Sequence, residues 1–135
     1  MSIFKDDTAI ETKAKELGFT NVNFNWDDNS VTLEKIAPYP VGGTTLVWRS
    51  KLTIVPEASF TAISTESYIQ NLYRNSGQGD RKHKATLETA KAGGLKTLLC
   101  TVNNTNWPQL AILFKNRWKA VTKISDQSTL WKKEL

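Results

Sequence analysis

Hydrophobic and polar positions alternate with two different periods along this chain, and the change of period marks its elements. Ile10, Ala14 and Leu17 stand four and then three residues apart, which is one face of a helix. Thr8 and Glu11 have the spacing of a capping box, and Gly18 stands where a helix stops, so a helix is predicted over residues 9–17. The period then drops to two. Val22, Phe24 and Trp26 alternate with polar residues, Asp27-Asp28-Asn29 supplies turn chemistry, and Val31, Leu33 and Ile36 continue on a second strand. Pro38-Tyr39-Pro40-Val41-Gly42-Gly43 breaks regular structure and reads as a connector or a substrate loop. The β-branched run 44–55, with Trp48, predicts a long strand. Pro56-Glu57-Ala58 turns it, and residues 59–64 and 67–73 read as two further strands.

The second half repeats the exercise with more charge. Residues 80–92 suit a helix capped by Asp80, with a thin apolar stripe of His83, Leu87 and Ala90 and a stop at Gly93-Gly94. Residues 95–102 read as a buried strand. Asn106 is a credible N-cap with Pro108 in the first turn, and Leu110, Leu113 and Phe114 follow on one helical face. Residues 118–124 and 128–131 form a terminal hairpin. The expected fold class is α/β (α+β), one domain over residues 1–135. Its sheet is mixed and mostly antiparallel, with six or seven strands and about three flanking helices.

Composition narrows the classes. With 135 residues and 39% hydrophobic content the chain can build one core, and 23% charged residues argue against global disorder. The lone Cys100 excludes an internal disulfide framework, and one His with one Cys makes no familiar zinc site. No apolar run is long enough to span a membrane, and no basic segment leads into an apolar one at the start. A soluble, cytoplasmic, metal-free protein is expected. Charge is uneven: residues 1–80 carry 7 Lys/Arg against 10 Asp/Glu, and residues 81–135 carry 11 against 3. A basic half invites an anionic partner, nucleic acid or a phosphorylated cofactor.

One stretch offers chemistry. Arg74-Asn75-Ser76-Gly77-Gln78-Gly79 lies between a predicted strand and a predicted helix. Two glycines allow close backbone approach and positive φ, and the helix start carries unpaired N–H groups and the positive end of the dipole. A pyrophosphate suits that place. The dinucleotide fingerprint fails, because Lys82 stands where its third glycine belongs, and the P-loop run is absent. Arg81, Lys82 and Lys84 oppose the dipole, which is easier to understand if an anion sits there.

Arg-x-x-Gly-x-Gly resembles the acyl-CoA-binding loop of the GCN5-related N-acetyltransferases (GNAT). The order that follows is similar too: Gly93 or Gly94 ends the helix, a strand finishes in Val102, and Asn103 or Asn106 opens the next helix. Lys115-Asn116-Arg117-Trp118 is similar to the family's Lys-x-Gly-Phe. The resemblance covers about residues 67–131 and implies an acyl-CoA-dependent N-acyltransferase. It uses acetyl-CoA or another acyl-CoA and an amine acceptor, small molecule or protein. The pantetheine arm would pair with backbone near Ile69 and Asn71. The loop opened by Arg74 would hold the pyrophosphate on backbone amides of Asn75, Ser76, Gly77, Gln78 and Gly79, and Asn103 or Asn106 would touch the cofactor from the other side. Glu66 stands where members place a carboxylate or a water held by one, and Tyr68 can donate a proton. The departures are specific: the tyrosine expected on the second helix is Leu113 with Phe114 beside it, the glycine before the aromatic is Arg117, and Lys82-His83 replaces paired leucines.

Plainer readings stand beside these. Glu66 suits a surface strand start, Tyr68 a core position with a wet hydroxyl, His83 a half-packed helix face, and Cys100 a buried apolar site. A second function class is therefore an inert binding protein on the same fold, with Arg81-Lys82-His83-Lys84 meeting nucleic acid through phosphates. Some virus-encoded proteins similar to the family are compact, basic and diverged, and one such group modifies DNA bases. A structural subunit is the third class, and a homodimer stays open.

Overall fold

A computed structural model describes residues 2–38, 41–69 and 77–135, with Glu66 and Tyr68 placed by their backbone alone. Helix α1 (Asp7–Glu16) comes first. Asp6, not Thr8, caps it: the Asp6 carboxylate accepts the Ala9 N–H at 3.0 Å, while the Asp7 carboxylate accepts those of Ile3 and Phe4 at 2.8 and 2.7 Å. A charged acceptor placed two residues earlier satisfies the helix start and suits its positive end better than a hydroxyl, so the expected capping box does not form.

β1 (Asn21–Asn25) and β2 (Ser30–Pro38) make the expected hairpin, and β3 (Thr44–Ile54) pairs antiparallel with β2. The two strands expected over 59–64 and 67–73 are instead one, β4 (Thr61–Ile69). Its pairing with β3 slips between Leu52–Ser64 and Lys51–Glu66, leaving Thr65 as a bulge. The polar residues that looked like a break are thus an irregularity inside one strand. Residues 70–73 lie outside the described residues.

The rest follows the expected order: α2 (Gln78–Ala92), β5 (Thr97–Asn103), α3 (Trp107–Lys115), β6 (Lys119–Lys123) and β7 (Ser128–Glu134). The sheet runs β1-β2-β3-β4-β5-β7-β6. Only β4 and β5 pair in parallel, and α2 is the crossover such a pair requires. The mixed, mostly antiparallel seven-stranded sheet with three helices is the expected fold class.

Val31, Leu33, Val47, Leu52 and Leu98 fill the core from the sheet, and Phe19 meets Trp48 edge-on at 5.5 Å between ring centroids. Ile10 of α1 is fully buried, which contributes roughly 1.5–3 kcal/mol. It packs on the end of α2 so closely that a Cβ at Gly93 would fall 2.3 Å from Ile10 Cγ1. The buried face of α2 is Lys82, Ala85, Thr86, Thr89 and Ala90; of the expected stripe Ala90 is on it, while His83 and Leu87 are half-buried at its side. Small side chains let this helix lie near the sheet.

All three helices end alike. Phe19, Leu95 and Trp118 donate backbone N–H groups to the carbonyls of Ala14, Ala90 and Leu113, closing six-residue loops. The left-handed residue this requires is Gly18, Gly94 and, against the usual preference, Arg117 at φ +63°.

Candidate active site

The bulge at Thr65 has a consequence one strand away. β4 and β5 pair only from Thr61–Thr97 to Ser64–Cys100. Beyond that point β4 runs on to Ile69 and β5 to Asn103 without pairing to each other. The ladder ends beside the extra residue. A cleft of about 590 Å³ opens there. Ser67 and Ile69 line it from β4, and Gly77, Gly79, Asp80, Lys82 and His83 from α2. Asn106, Gln109, Ile112 and Lys115 close the α3 side.

The start of α2 faces this cleft. Gly77 is its N-cap, at φ +83°, and among the described residues no side chain caps the helix. Among the described residues its first N–H groups meet no capping side chain, as an anion-binding helix start requires. Asp80, expected as the cap, lies one turn inside. Its carboxylate binds Asn116 Nδ2 at 3.1 Å, Lys84 at 3.0 Å and Lys115 at 3.2 Å. Burial pushes the Asp80 carboxyl up, but these donors outweigh it and hold it at about 2. Asp80 thus ties the start of α2 to the end of α3. Gly79 lies against α3, since a Cβ there would sit 3.1 Å from Ile112 Cδ1.

Lys82 is 5% exposed. Its ammonium donates to Ser50 Oγ at 3.3 Å and to Ser67 Oγ. Ser50 also shares a 2.9 Å hydrogen bond with Thr86, so a polar cluster lies beneath the cleft floor. Burial lowers the Lys82 pKa from 10.5 to about 8. His83 Nε2 accepts the Trp118 indole N–H at 2.8 Å. Burial first, and then the Lys82 charge, push His83 down to about 4, so it stays neutral. Cys100 is pushed up to about 12 by burial and is an inert thiol, in keeping with its apolar reading.

Of the residues singled out from sequence, the structure brings Ile69, Gly77, Gly79 and Asn106 to the cleft. Gln78 opens α2 beside them. Asn106 caps α3, accepting from Gln109 N at 3.4 Å. Asn103 turns into its own loop and accepts from Thr105 N at 2.9 Å, so of the two asparagines only Asn106 faces the cleft. Glu66 and Tyr68 flank Ser67 along β4. Asn71, Arg74, Asn75 and Ser76 lie outside the described residues. Leu113 is fully buried in the core, and Phe114 packs outside against Trp131, so neither reaches the cleft. The basic cluster is split: Arg81 and Lys84 face out, while Lys82 and His83 point in. Sequence reasoning missed Lys82, Ser67 and Gln109. The signal for Lys82 was its spacing with Thr86, Thr89 and Gly93, which puts a lysine on the face toward the sheet.

A parallel pair that parts over an uncapped helix start, inside a mostly antiparallel sheet, is the architecture of GNAT acetyltransferases, and this chain has that fold. Solved structures agree. An IAA acetyltransferase from Bacillus cereus superposes with a TM-score of 0.64 at 17% identity, covering 78% of each chain. A GNAT-family acetyltransferase from Streptococcus pneumoniae gives 0.62 at 19% identity over 80% of this chain and 68% of its own. PaiA N-acetyltransferase from Thermoplasma acidophilum, solved with coenzyme A, gives 0.59 at 15% identity over 78% and 60%. No protein-family profile and no curated protein sequence matches the chain.

Proposed function

We propose that the protein is an acyl-CoA-dependent N-acyltransferase, with acetyl-CoA as the simplest donor and an amine as acceptor. The observation that carries this reading is the parting of β4 from β5 directly over the uncapped start of α2. The residues present fit such a donor. Among the described residues no heavy atom lies within 4 Å of where a Cβ at Gly77 would sit, so an anion has room against the backbone. The N–H groups of the first turn and the exposed Lys115 ammonium would hold the phosphates. The strand end at Ile69 and the cleft-lining Asn106 and Gln109 would wall the pantetheine arm.

The bound donor supplies an activated thioester carbonyl. β4, α2 and α3 hold an amine against that carbonyl and keep bulk water from it, so proximity provides most of the rate. Glu66 and Tyr68 are proposed as base and proton donor on the amine side. Acetyl-CoA at about 100 times its Kd should stabilise the fold by about 2.7 kcal/mol in a thermal titration. Absence of any stabilisation at millimolar acetyl-CoA would overturn the reading.

A further inference from the structure

Lys82 is a cation that the fold holds at a cost. Among the described residues its Nζ meets only the hydroxyls of Ser50 and Ser67, and no carboxylate pairs with it. Yet it lines the cleft floor rather than the core proper. A desolvated ammonium with neutral partners favours any negative charge that arises beside it. Resting on the acyltransferase reading, we propose that Lys82 is the cation of this cleft that receives the sulfur leaving the acyl carbon as a thiolate. In that step the amine nitrogen forms the new C–N bond and the C–S bond breaks. The C–S electron pair goes to sulfur, which leaves as a thiolate paired with the Lys82 ammonium. The amine proton leaves to Glu66 or solvent, and Lys82 stays charged throughout.

The surroundings support the assignment from every side. A chamber of about 30 Å³ lies behind Lys82, bounded by Ser50, Ser64, Thr86, His83, Cys100 and Gln109. That is room for a water beside the ammonium. β3 and β4 present hydroxyls there, β5 presents the inert Cys100 thiol, and α3 presents the Gln109 amide. On α2, His83 has its Nε2 occupied by Trp118, and Asp80 is engaged by Asn116, Lys84 and Lys115. Lys115 itself stands in solvent at the mouth. The α3 positions where a tyrosine was expected offer none. Burial lowers the Lys82 pKa only to about 8, so at pH 7 it keeps its charge.

The test needs no acceptor. Free coenzyme A and desulfo-coenzyme A are titrated into wild type and Lys82→Met at pH 7, with ultraviolet difference spectra recording thiolate. An unperturbed thiol has a pKa of about 8.5 and is only a few per cent ionised at that pH. The expected result is a thiolate band on binding to wild type, with the thiol pKa brought from about 8.5 to about 6, which at pH 7 is a roughly tenfold preference for coenzyme A over the desulfo compound. Both should vanish in Lys82→Met, while acetyl-CoA still binds it. Coenzyme A bound by wild type with its thiol unchanged overturns this role and leaves the acyltransferase reading standing. An equal thiolate signal in both proteins also overturns it. Failure of wild type to bind coenzyme A overturns both. The wild-type comparison of the two ligands stands by itself if the variant does not fold.

Discussion

Lys82→Met should make this protein more stable at neutral pH. Burial holds the folded-state pKa at about 8 against 10.5 for free lysine, so the charged form costs roughly 3 kcal/mol in the folded state. Below pH 8 both states carry the proton and that cost is present in full. Between pH 8 and 10.5 the unfolded chain still holds a proton that the folded chain has released, so stability rises with pH. Above 10.5 both are neutral and the cost is gone. Methionine keeps the length of the stem and removes the charge. It also removes the hydrogen bonds to Ser50 and Ser67, worth about 1 kcal/mol. Ser50 keeps Thr86 as a partner, and Ser67 is open to water. The net gain at pH 7 is about 2 kcal/mol, shrinking to nothing or a slight loss at pH 10.5. Urea unfolding of both proteins at the two pH values reads this as a midpoint shift of roughly 1 M at pH 7. A variant less stable than wild type at pH 7, or a difference that ignores pH, refutes the reasoning. A lysine kept at such a cost is what a working site leads one to expect.

Three further outcomes can be checked. Arg117→Gly should stabilise by about 0.5–1 kcal/mol, because φ +63° costs arginine more than the extra chain entropy costs glycine; a lower denaturation midpoint would count against it. His83 holds off its proton down to about pH 4 while the unfolded chain takes one near 6.5, so stability should fall as pH drops from 6.5 to 4. In His83→Gln that dependence should flatten, as read by acid unfolding curves. Gly77→Ala places a methyl in the proposed phosphate cradle at a left-handed position, and Gly94→Ala imposes backbone strain at the opposite end of α2, where it also crowds Lys5. Each should lose about 1 kcal/mol of stability or more, and only Gly77→Ala should weaken acetyl-CoA in calorimetry, by about tenfold or more. Equal binding by both would remove the cradle.

Local rules made much of this molecule legible from its sequence. The order of strands and helices followed from periods of two and of three to four, from Asn106 as a cap, and from glycines at the helix ends. The backbone half of the candidate site was legible for the same reason, because Gly77 marks a left-handed turn that other residues tolerate poorly, although the close approach of α3 at Gly79 was not. What failed depended on groups distant along the chain. Whether Ser64 to Ser67 ends a strand or bulges within one is settled by β3, which supplies the pairing on both sides of Thr65. The cleft opens where the β4–β5 ladder ends, beside that bulge. Lys82 reads in sequence as one member of a basic cluster. Only the packing of α2 on the sheet sets it against Ser50, 32 positions earlier, and takes its charge out of water. Periodicity and turn chemistry act between neighbours and can be read along the chain. Desolvation is the work of whatever the fold brings alongside.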